Sequence, residues 1–260
     1  MKCEDIIAVL EELSPPSFAL EWDNSGFLVG DRMNEVKRVL IAVDATDEVI
    51  DEAIRVGADM LLTHHPLIFG PMKRVCSDDL IGRRILKLAE NKIALYSMHT
   101  NFDVMGMADA AAEEIELVNS SVLDVTYEDD ISKEGIGRFG KLRNPQNLET
   151  IAEFVKGKFR LPFVTVYGDL EKEIEIAAIS TGSGKSMIPK AIEKKCDVII
   201  TGDIDYHTAL DAVSMGLCII DAGHFGLEKI FIPYIADYLK RELPQLDAIK
   251  STQTDLGRKL

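Results

Sequence analysis

Short apolar runs and longer amphipathic stretches alternate along almost the whole chain. Apolar runs of this length are typical of buried strands, and an apolar period near 3.6 residues is typical of helices. The runs predict strands at 39–43, 59–63, 93–98, 197–201 and 217–220, with strand-rich segments at 121–143 and 163–179. The amphipathic stretches predict helices at 3–13, 47–57, 79–91, 107–117, 147–159, 186–195, 205–215 and from about 224. Strands and helices that alternate in this way favour an α/β fold with largely parallel pairing.

The chain also repeats itself without a gap. At a fixed offset of 138 residues, Ala53 matches Ala191, Ile54 matches Ile192, Asp59 matches Asp197 and Thr63 matches Thr201. Each half reads as a helix, then an apolar strand, then a Thr and a polar pair. We therefore predict two similar α/β lobes, 1–125 and 126–260, with sheets flanked by helices. No Pro/Ser-rich linker separates them, so we expect them to pack as one unit.

Composition and charge narrow the classes of partner. The 260 residues include 29 Lys and Arg against 44 Asp and Glu, which gives a formal net charge of −15. Such an acidic chain is a poor match for a nucleic-acid backbone or an anionic membrane surface. No apolar run approaches the ~18 residues of a membrane span. The four cysteines are scattered and form no C-x-x-C pair, so we expect a cytoplasmic protein without a disulfide framework.

Histidines and carboxylates follow several of the predicted strands. His64 and His65 come directly after the strand MLLT, and His224 follows the strand LCII. His99 follows the strand IALYSM, and Asp103 lies four residues later. Ligands of α/β sheets gather beyond the carboxyl ends of the strands. Imidazole and carboxylate together suit a divalent zinc, iron, manganese or nickel ion, among which the sequence does not distinguish.

The spacing of His224 and Glu228 sharpens this hypothesis. Residues four apart on a helix lie on one face, so this pair offers one nitrogen and one oxygen ligand. For each pair taken alone, a purely structural role is the alternative. Together His64, His65, Asp103, His224 and Glu228 make five ligands, which is more than the four of a tetrahedral ion. We therefore predict two divalent metal ions between the lobes, bridged by a carboxylate, with Glu228 as the bridge.

A family resemblance is carried by motifs in order over nearly the whole chain. They are WDNSG at 22–26, LVG at 28–30, THHP at 63–66, HTNFD at 99–103, GIGRFG at 135–140, GSG at 182–184, TGDIDYH at 201–207 and DAGHFGLE at 221–228. The chain resembles the Nif-three-like family, whose members are often named GTP cyclohydrolase I type 2 homologs. The resemblance implies a two-lobed α/β fold, a dinuclear metal site on the same five residues and a ring-shaped homohexamer. Asp205 departs from the pattern, because a Lys is expected there.

The remaining candidate residues have weaker signals. His99 borders the predicted site, and we take it as the candidate catalytic residue, either orienting a ligand or transferring a proton; a structural hydrogen bond is the alternative. The GSGKS at 182–186 lacks the first glycine of a phosphate-binding P-loop, because Ile179 stands in its place. A tight strand-to-helix turn is therefore the better interpretation. Trp22, the only tryptophan, is interpreted as a packing residue.

Two functions of different classes fit these observations. The first is a dinuclear metal-dependent hydrolase of a small anionic substrate, with a nucleotide suggested by the resemblance. Metal ions would make the site cationic and would generate hydroxide at neutral pH. The second is a non-catalytic protein that binds, stores or delivers metal, or serves as a regulatory scaffold. No residue pattern decides between the two.

Overall fold

The computed structural model describes residues 1–257 and divides into two compact units. One unit contains Met1–Phe102 and the described residues from Phe231 onward, and the other contains Asp103–Ile230. Each unit has one mixed sheet with helices packed against it. The predicted α/β class is therefore confirmed.

The elements alternate as the apolar pattern predicts. The strands are β1 (Gly26–Val29), β2 (Arg38–Ala42), β3 (Met60–Thr63), β4 (Ala94–Ser97), β5 (Leu117–Glu128), β6 (Lys133–Asn147), β7 (Thr165–Tyr167), β8 (Glu173–Ser183), β9 (Val198–Gly202), β10 (Cys218–Asp221) and β11 (Asp247–Lys250). The α-helices are α1 (Cys3–Leu13), α2 (Asp47–Val56), α3 (Leu80–Glu90), α4 (Thr100–Phe102), α5 (Ala108–Glu114), α6 (Leu148–Lys158), α7 (Ile188–Glu193), α8 (Tyr206–Ser214), α9 (His224–Glu228) and α10 (Phe231–Glu242). A π-helical turn covers Asp103–Met107, and short 3-10 turns cover Pro16–Phe18 and Lys185–Met187. Within the described part of the chain, no helix combines the length and the apolar character needed to cross a bilayer.

The sheet of the first unit has the order β1-β4-β3-β2-β11. The strands β11, β2, β3 and β4 are parallel neighbours, and β1 runs antiparallel to β4 at the edge. Alternate residues of a strand face opposite sides of the sheet, and Leu40, Leu61 and Leu95 share a buried cluster with apolar residues of α2 and α3. Parallel pairing brings the carboxyl ends of β2, β3 and β4 to one edge of this sheet.

The sheet of the second unit has the order β5-β6-β8-β9-β10-β7. The strands β8, β9 and β10 are parallel, whereas β5, β6 and β7 pair in antiparallel fashion. Neighbouring residues of its strands enter different cores: Ile200 belongs to the cluster that includes α6, and Ile199 belongs to the cluster that includes α7 and α8. Both faces are therefore covered, as the continuous apolar runs of β9 and β10 require.

The internal repeat is visible in both sheets. In the first unit, the parallel strands β2, β3 and β4 are followed at the edge of the sheet by β1, which runs antiparallel to β4. In the second unit, the parallel strands β8, β9 and β10 are followed in the same way by β7, which runs antiparallel to β10. The offset of 138 residues places Met60–Thr63 on 198–201, which lies within β9. This confirms the prediction of two similar α/β lobes.

The boundaries of the two units do not coincide with the expected division at 125 and 126. The strand β5 ends beyond that point and pairs with β6 of the second unit. The strand β11 lies near the end of the chain but pairs with β2 of the first unit. Long-range pairing of this kind leaves no local signal in the sequence. The predicted C-terminal helix from about 224 is likewise two helices, α9 and α10, separated by Lys229 and Ile230.

Candidate metal centre

Three histidines meet at the carboxyl ends of β3 and β4. His64 and His65 follow β3 directly, and His99 follows β4 two residues after Ser97. The rings of His64 and His65 have centroids 4.9 Å apart, and each lies 5.3 Å from the ring of His99. One nitrogen from each of the three histidines lies within 4.8 Å of the others. The first unit therefore contains a group of imidazoles that could hold a metal ion.

The backbone fixes the orientation of His64. Its Nδ1 lies 2.7 Å from the carbonyl oxygen of Met98, and its side chain is fully buried. A carbonyl oxygen only accepts hydrogen bonds, so Nδ1 donates and Nε2 carries the lone pair. Nε2 is therefore the atom that can ligate a metal.

A carboxylate fixes the orientation of His65. Its Nδ1 lies 2.7 Å from Oδ1 of Asp44, two residues beyond the end of β2. Carboxylates at this position set the tautomer and raise the basicity of metal-binding histidines in many proteins. The arrangement fits a role of His65 as a ligand through Nε2.

His99 is held in the same way by Asp23. Its Nδ1 lies 2.7 Å from Oδ1 of Asp23, whose other oxygen accepts from Ser25 Oγ at 2.5 Å and from Thr100 Oγ1 at 2.6 Å. Burial alone would raise the pKa of Asp23, but the hydrogen bonds from His99, Ser25 and Thr100 outweigh it and hold the pKa well below its usual range. Asp23 is therefore a carboxylate at neutral pH. His99, predicted as a catalytic residue beside the ligands, also lies close enough to serve as a ligand.

The environment of Trp22 differs from its predicted packing role. Its side chain is 62% exposed, and its ring meets the ring of His99 edge-on with centroids 5.8 Å apart. Phe69 is 55% exposed and meets His99 in the same way at 5.8 Å. The packing interpretation is therefore wrong: the WDNSG segment supplies Asp23 to the histidine group, and Trp22 stands exposed beside it.

The second unit contributes a histidine and a glutamate from α9. Nε2 of His224 lies 3.1 Å from Oε2 of Glu228, a separation that two ligand bonds of ~2 Å to one ion allow. Nδ1 of His224 lies 2.7 Å from Oδ2 of Asp203, which follows β9. Glu228 is only 3% exposed. The predicted one-turn spacing does place both side chains together.

Glycines make room for this pair. A Cβ built on Gly182 would overlap Oε1 of Glu228 and would lie 3.4 Å from Nε2 of His224. A Cβ on Gly202 would come within 2.5 Å of the His224 backbone nitrogen. Gly182 is thus required by close packing against Glu228, and Gly184 by close packing against the side chain of Thr201. Both glycines fit a tight turn rather than a phosphate-binding loop.

Two other predicted positions have clear places. Asp103 is the first residue of the π-helical turn after α4 and is half-buried. Asp205 is the N-cap of α8, where it accepts from Thr208 N at 3.0 Å and pairs with Lys185 Nζ at 2.8 Å. Its departure from the family pattern therefore has a local structural role.

The donor sets suit a divalent ion. Four histidines have Nδ1 bonded to an acceptor, which puts the lone pair on Nε2. Glu228 supplies a buried carboxylate. Neutral imidazoles and carboxylates are the ligands of zinc, iron and manganese. The supporting carboxylates Asp23, Asp44 and Asp203 were not identified from the sequence. Asp44 and Asp203 follow β2 and β9, so an Asp at the carboxyl end of a strand was the available signal for these two, whereas Asp23 precedes β1.

Comparisons with known proteins agree over the whole chain. A family model described as Duf34/NIF3 (NGG1p interacting factor 3) matches residues 1–256. A Clostridium perfringens protein named "GTP cyclohydrolase 1 type 2 homolog" is 37% identical over 245 residues, covering 94% of this chain and 93% of that protein. A Methanocaldococcus jannaschii protein of the same name is 34% identical over 257 residues, covering 95% of this chain and all of that protein.

Solved structures show the same fold. A Bacillus cereus protein related to NIF3 matches with a TM-score of 0.94 at 26% identity, covering 100% of this chain and 99% of that one. The reduced HcgD from Methanocaldococcus jannaschii matches with a TM-score of 0.84 at 32% identity, covering 97% of this chain and 98% of that one. The similarity therefore extends over both units.

Proposed function

The chain belongs to the Duf34/NIF3 family, and we propose that it is a divalent-metal-dependent hydrolase of a small anionic molecule. The observation that carries the proposal is the shared arrangement of four histidines, each with Nδ1 bonded to a carbonyl or carboxylate oxygen. This bond sets the tautomer whose lone pair lies on Nε2, the form that can coordinate a metal or accept a proton. We assign two ions to His64, His65, Asp103, His224 and Glu228, with Glu228 as the bridging carboxylate. Bound divalent ions would polarise the substrate and lower the pKa of water.

The protein's own residues would orient the ligands and move protons. Asp44 and Asp203 would hold His65 and His224 in the tautomer that presents Nε2. Asp23, kept ionised by its hydrogen bonds, would hold His99 with Nδ1 protonated, so that its Nε2 could accept a proton from the reacting group and return it. His99 would then be a catalytic residue, as predicted from its position after β4.

The surroundings of His99 support a substrate with a planar ring. Trp22 and Phe69 are both more than half exposed, and both meet the ring of His99 edge-on. Exposed aromatic side chains stack on nucleobases and similar rings, each stack contributing about 1–3 kcal/mol. A nucleotide combines a planar base, which can stack on these rings, with the negative charge that a metal site attracts. The names of the relatives point to GTP.

The test is a substrate screen on protein reconstituted with Zn²⁺, Mn²⁺, Fe²⁺ or Ni²⁺. GTP, other nucleotides and phosphoesters are incubated with the wild type and with Glu228→Gln. Turnover that disappears in Glu228→Gln supports the hydrolase. Metal binding without turnover of any of these compounds would refute the hydrolase and favour a metal-storage or regulatory protein.

A second variant tests the substrate class. Trp22→Ala should raise KM for a nucleotide about tenfold, corresponding to one lost ring stack, and should leave the bound metal unchanged. Trp22→Phe, which keeps an aromatic ring, is the matched control.

We also propose the ring-shaped homohexamer that the family resemblance implies. Light scattering should give six times the chain mass of 28.8 kDa.

A further inference from the structure

The segment that follows β11 reaches the edge of the sheet where the histidines lie. The strand β11 runs parallel to β2, and the pairing continues with Ser251 N donating to Ile41 O at 2.8 Å. Two residues later, Gln253 stands beside the residues that follow β2. Both strands belong to the first unit.

The side-chain amide of Gln253 is bonded at both ends. Its Oε1 accepts from the backbone nitrogens of Val43 at 3.0 Å and Asp44 at 3.1 Å. Its Nε2 donates to Oδ2 of Asp44 at 2.8 Å. The donors and acceptors around it leave one orientation for the amide, because two N–H groups need the oxygen and a carboxylate needs the nitrogen.

We propose that Gln253 is a positioning residue for His65. Asp44 uses Oδ1 for His65 Nδ1 at 2.7 Å and Oδ2 for Gln253 Nε2 at 2.8 Å. Gln253 thereby fixes both the backbone and the carboxylate of Asp44, and Asp44 fixes the tautomer of His65 that leaves Nε2 for a metal. The effect of Gln253 on metal affinity rests on the proposed function, in which His65 is a metal ligand. Its effect on the tautomer of His65 does not rest on that proposal.

The other carboxylate–histidine pair of the same unit is built on the same plan. Asp23 uses Oδ1 for His99, and its Oδ2 is held by Ser25 and Thr100. In both pairs one carboxylate oxygen serves the histidine and a polar side chain fixes the other oxygen. For Asp44, that side chain comes from a residue more than 200 positions away in the chain.

The segment that carries Gln253 has its own anchor. Glu52 of α2 is 6% exposed and accepts from Ser251 Oγ at 2.5 Å, Thr252 N at 3.1 Å and Thr252 Oγ1 at 2.8 Å. Because these bonds hold the segment independently of Asp44, a change at Gln253 should affect the site without releasing the chain around it.

The experiment compares three variants of the full chain. Gln253→Ala removes both ends of the amide. Gln253→Glu keeps an acceptor for the two backbone N–H groups but replaces the donor with a carboxylate that faces Asp44. Thr252→Val is the matched control, since it removes one side-chain bond to Glu52 and leaves Gln253 in place. Circular dichroism confirms that each variant is folded.

Two readouts are taken. The first is the imidazole ¹⁵N spectrum of the metal-free protein at about pH 8, where histidine is neutral. The signals of His65 are identified as those that are missing from the spectrum of the His65→Gln variant. We expect one tautomer, protonated at Nδ1, in the wild type and in Thr252→Val, and a mixture of tautomers in both Gln253 variants. The second is the Zn²⁺ dissociation constant measured against a chromophoric chelator, which we expect to rise about tenfold in both Gln253 variants and to stay unchanged in Thr252→Val.

The outcomes separate this inference from the proposed function. A wild-type tautomer and wild-type Zn²⁺ affinity in Gln253→Ala would overturn it, and so would wild-type behaviour of Gln253→Glu. If the wild type binds no Zn²⁺, the assignment of His65 as a ligand fails, and the tautomer of His65 in Gln253→Ala still decides whether Gln253 positions it.

Discussion

Replacing Gly182 with Ala would test the packing that holds Glu228 and His224 together. Gly182 lies near the end of β8 with φ +69, a conformation that residues with a Cβ rarely adopt. Its added methyl group would overlap Oε1 of Glu228 and would lie 3.4 Å from Nε2 of His224. The variant therefore combines backbone strain with a displacement of Glu228, whereas Nε2 of His224 stays at ordinary contact distance.

The magnitude separates into two contributions. The left-handed conformation costs roughly 1–2 kcal/mol for a residue with a Cβ, and forcing a methyl group into packed surroundings costs about 1–3 kcal/mol more. Gly216→Ala isolates the first contribution, because Gly216 has φ +88 in the same unit and nothing within 4 Å of its built Cβ. We expect Gly182→Ala to be less stable than Gly216→Ala by about 1–3 kcal/mol, the cost of the overlap alone.

Two measurements check this expectation. Urea unfolding of the metal-free variants gives the difference in free energy of unfolding, and chelator competition gives the affinity for Zn²⁺. Because the methyl group must push Glu228 aside, Gly182→Ala should bind Zn²⁺ at least tenfold more weakly than the wild type, a loss of about 1.4 kcal/mol. Gly216→Ala should bind as the wild type does. Equal stability of the two variants together with wild-type affinity of Gly182→Ala would refute the reasoning.

Three further predictions concern individual side chains. Glu228→Gln should lower the occupancy of both metal ions in elemental analysis, whereas Asp103→Asn should mainly empty one; the reverse result would make Asp103 the bridge. His99→Gln should reduce kcat at least 100-fold, the lower end for a lost acid–base group, while the metal content persists; loss of metal instead would make His99 a ligand. Burial tends to raise the pKa of Glu52, but hydrogen bonds from Ser251 and Thr252 lower it overall. Ionised Glu52 therefore stabilises the folded protein at any pH above its unfolded pKa of about 4.3, and this stabilisation is lost as the pH falls through the lower folded pKa. The melting temperature of Glu52→Gln should therefore fall furthest below that of the wild type near neutral pH, and the gap should narrow in acid; a gap independent of pH would contradict this account.

The ends of the parallel strands were the part of the site that the sequence could predict. A buried parallel strand is a continuous apolar run, and the first polar residues after it lie at the carboxyl edge of the sheet. That rule located His64, His65 and His99 together. The one-turn spacing on a helix located His224 beside Glu228. Each of these positions has a local signal: a polar residue that directly follows an apolar run, or two residues one helical turn apart.

The supporting residues could not be predicted in the same way. Asp23 precedes β1, a four-residue strand whose pattern is too short to identify, and it reaches His99 across 76 positions of the chain. Gln253 follows β11, which is paired with β2 and has no apolar run of its own. A contact of this range depends on strand order, and strand order follows from the whole fold rather than from any local pattern.

The internal repeat shows how the corresponding strand ends of the two units came to carry different side chains. At the offset of 138, His64 corresponds to Gly202 and His65 corresponds to Asp203. A Cβ at Gly202 would meet the backbone of Gly223 and His224, so no histidine fits there once α9 begins at this point. Asp203 instead accepts from His224 Nδ1 at 2.7 Å. The strand end that bears two histidines in the first unit thus bears a glycine and a carboxylate in the second: Gly202 leaves room for the start of α9, and Asp203 orients the histidine that α9 carries.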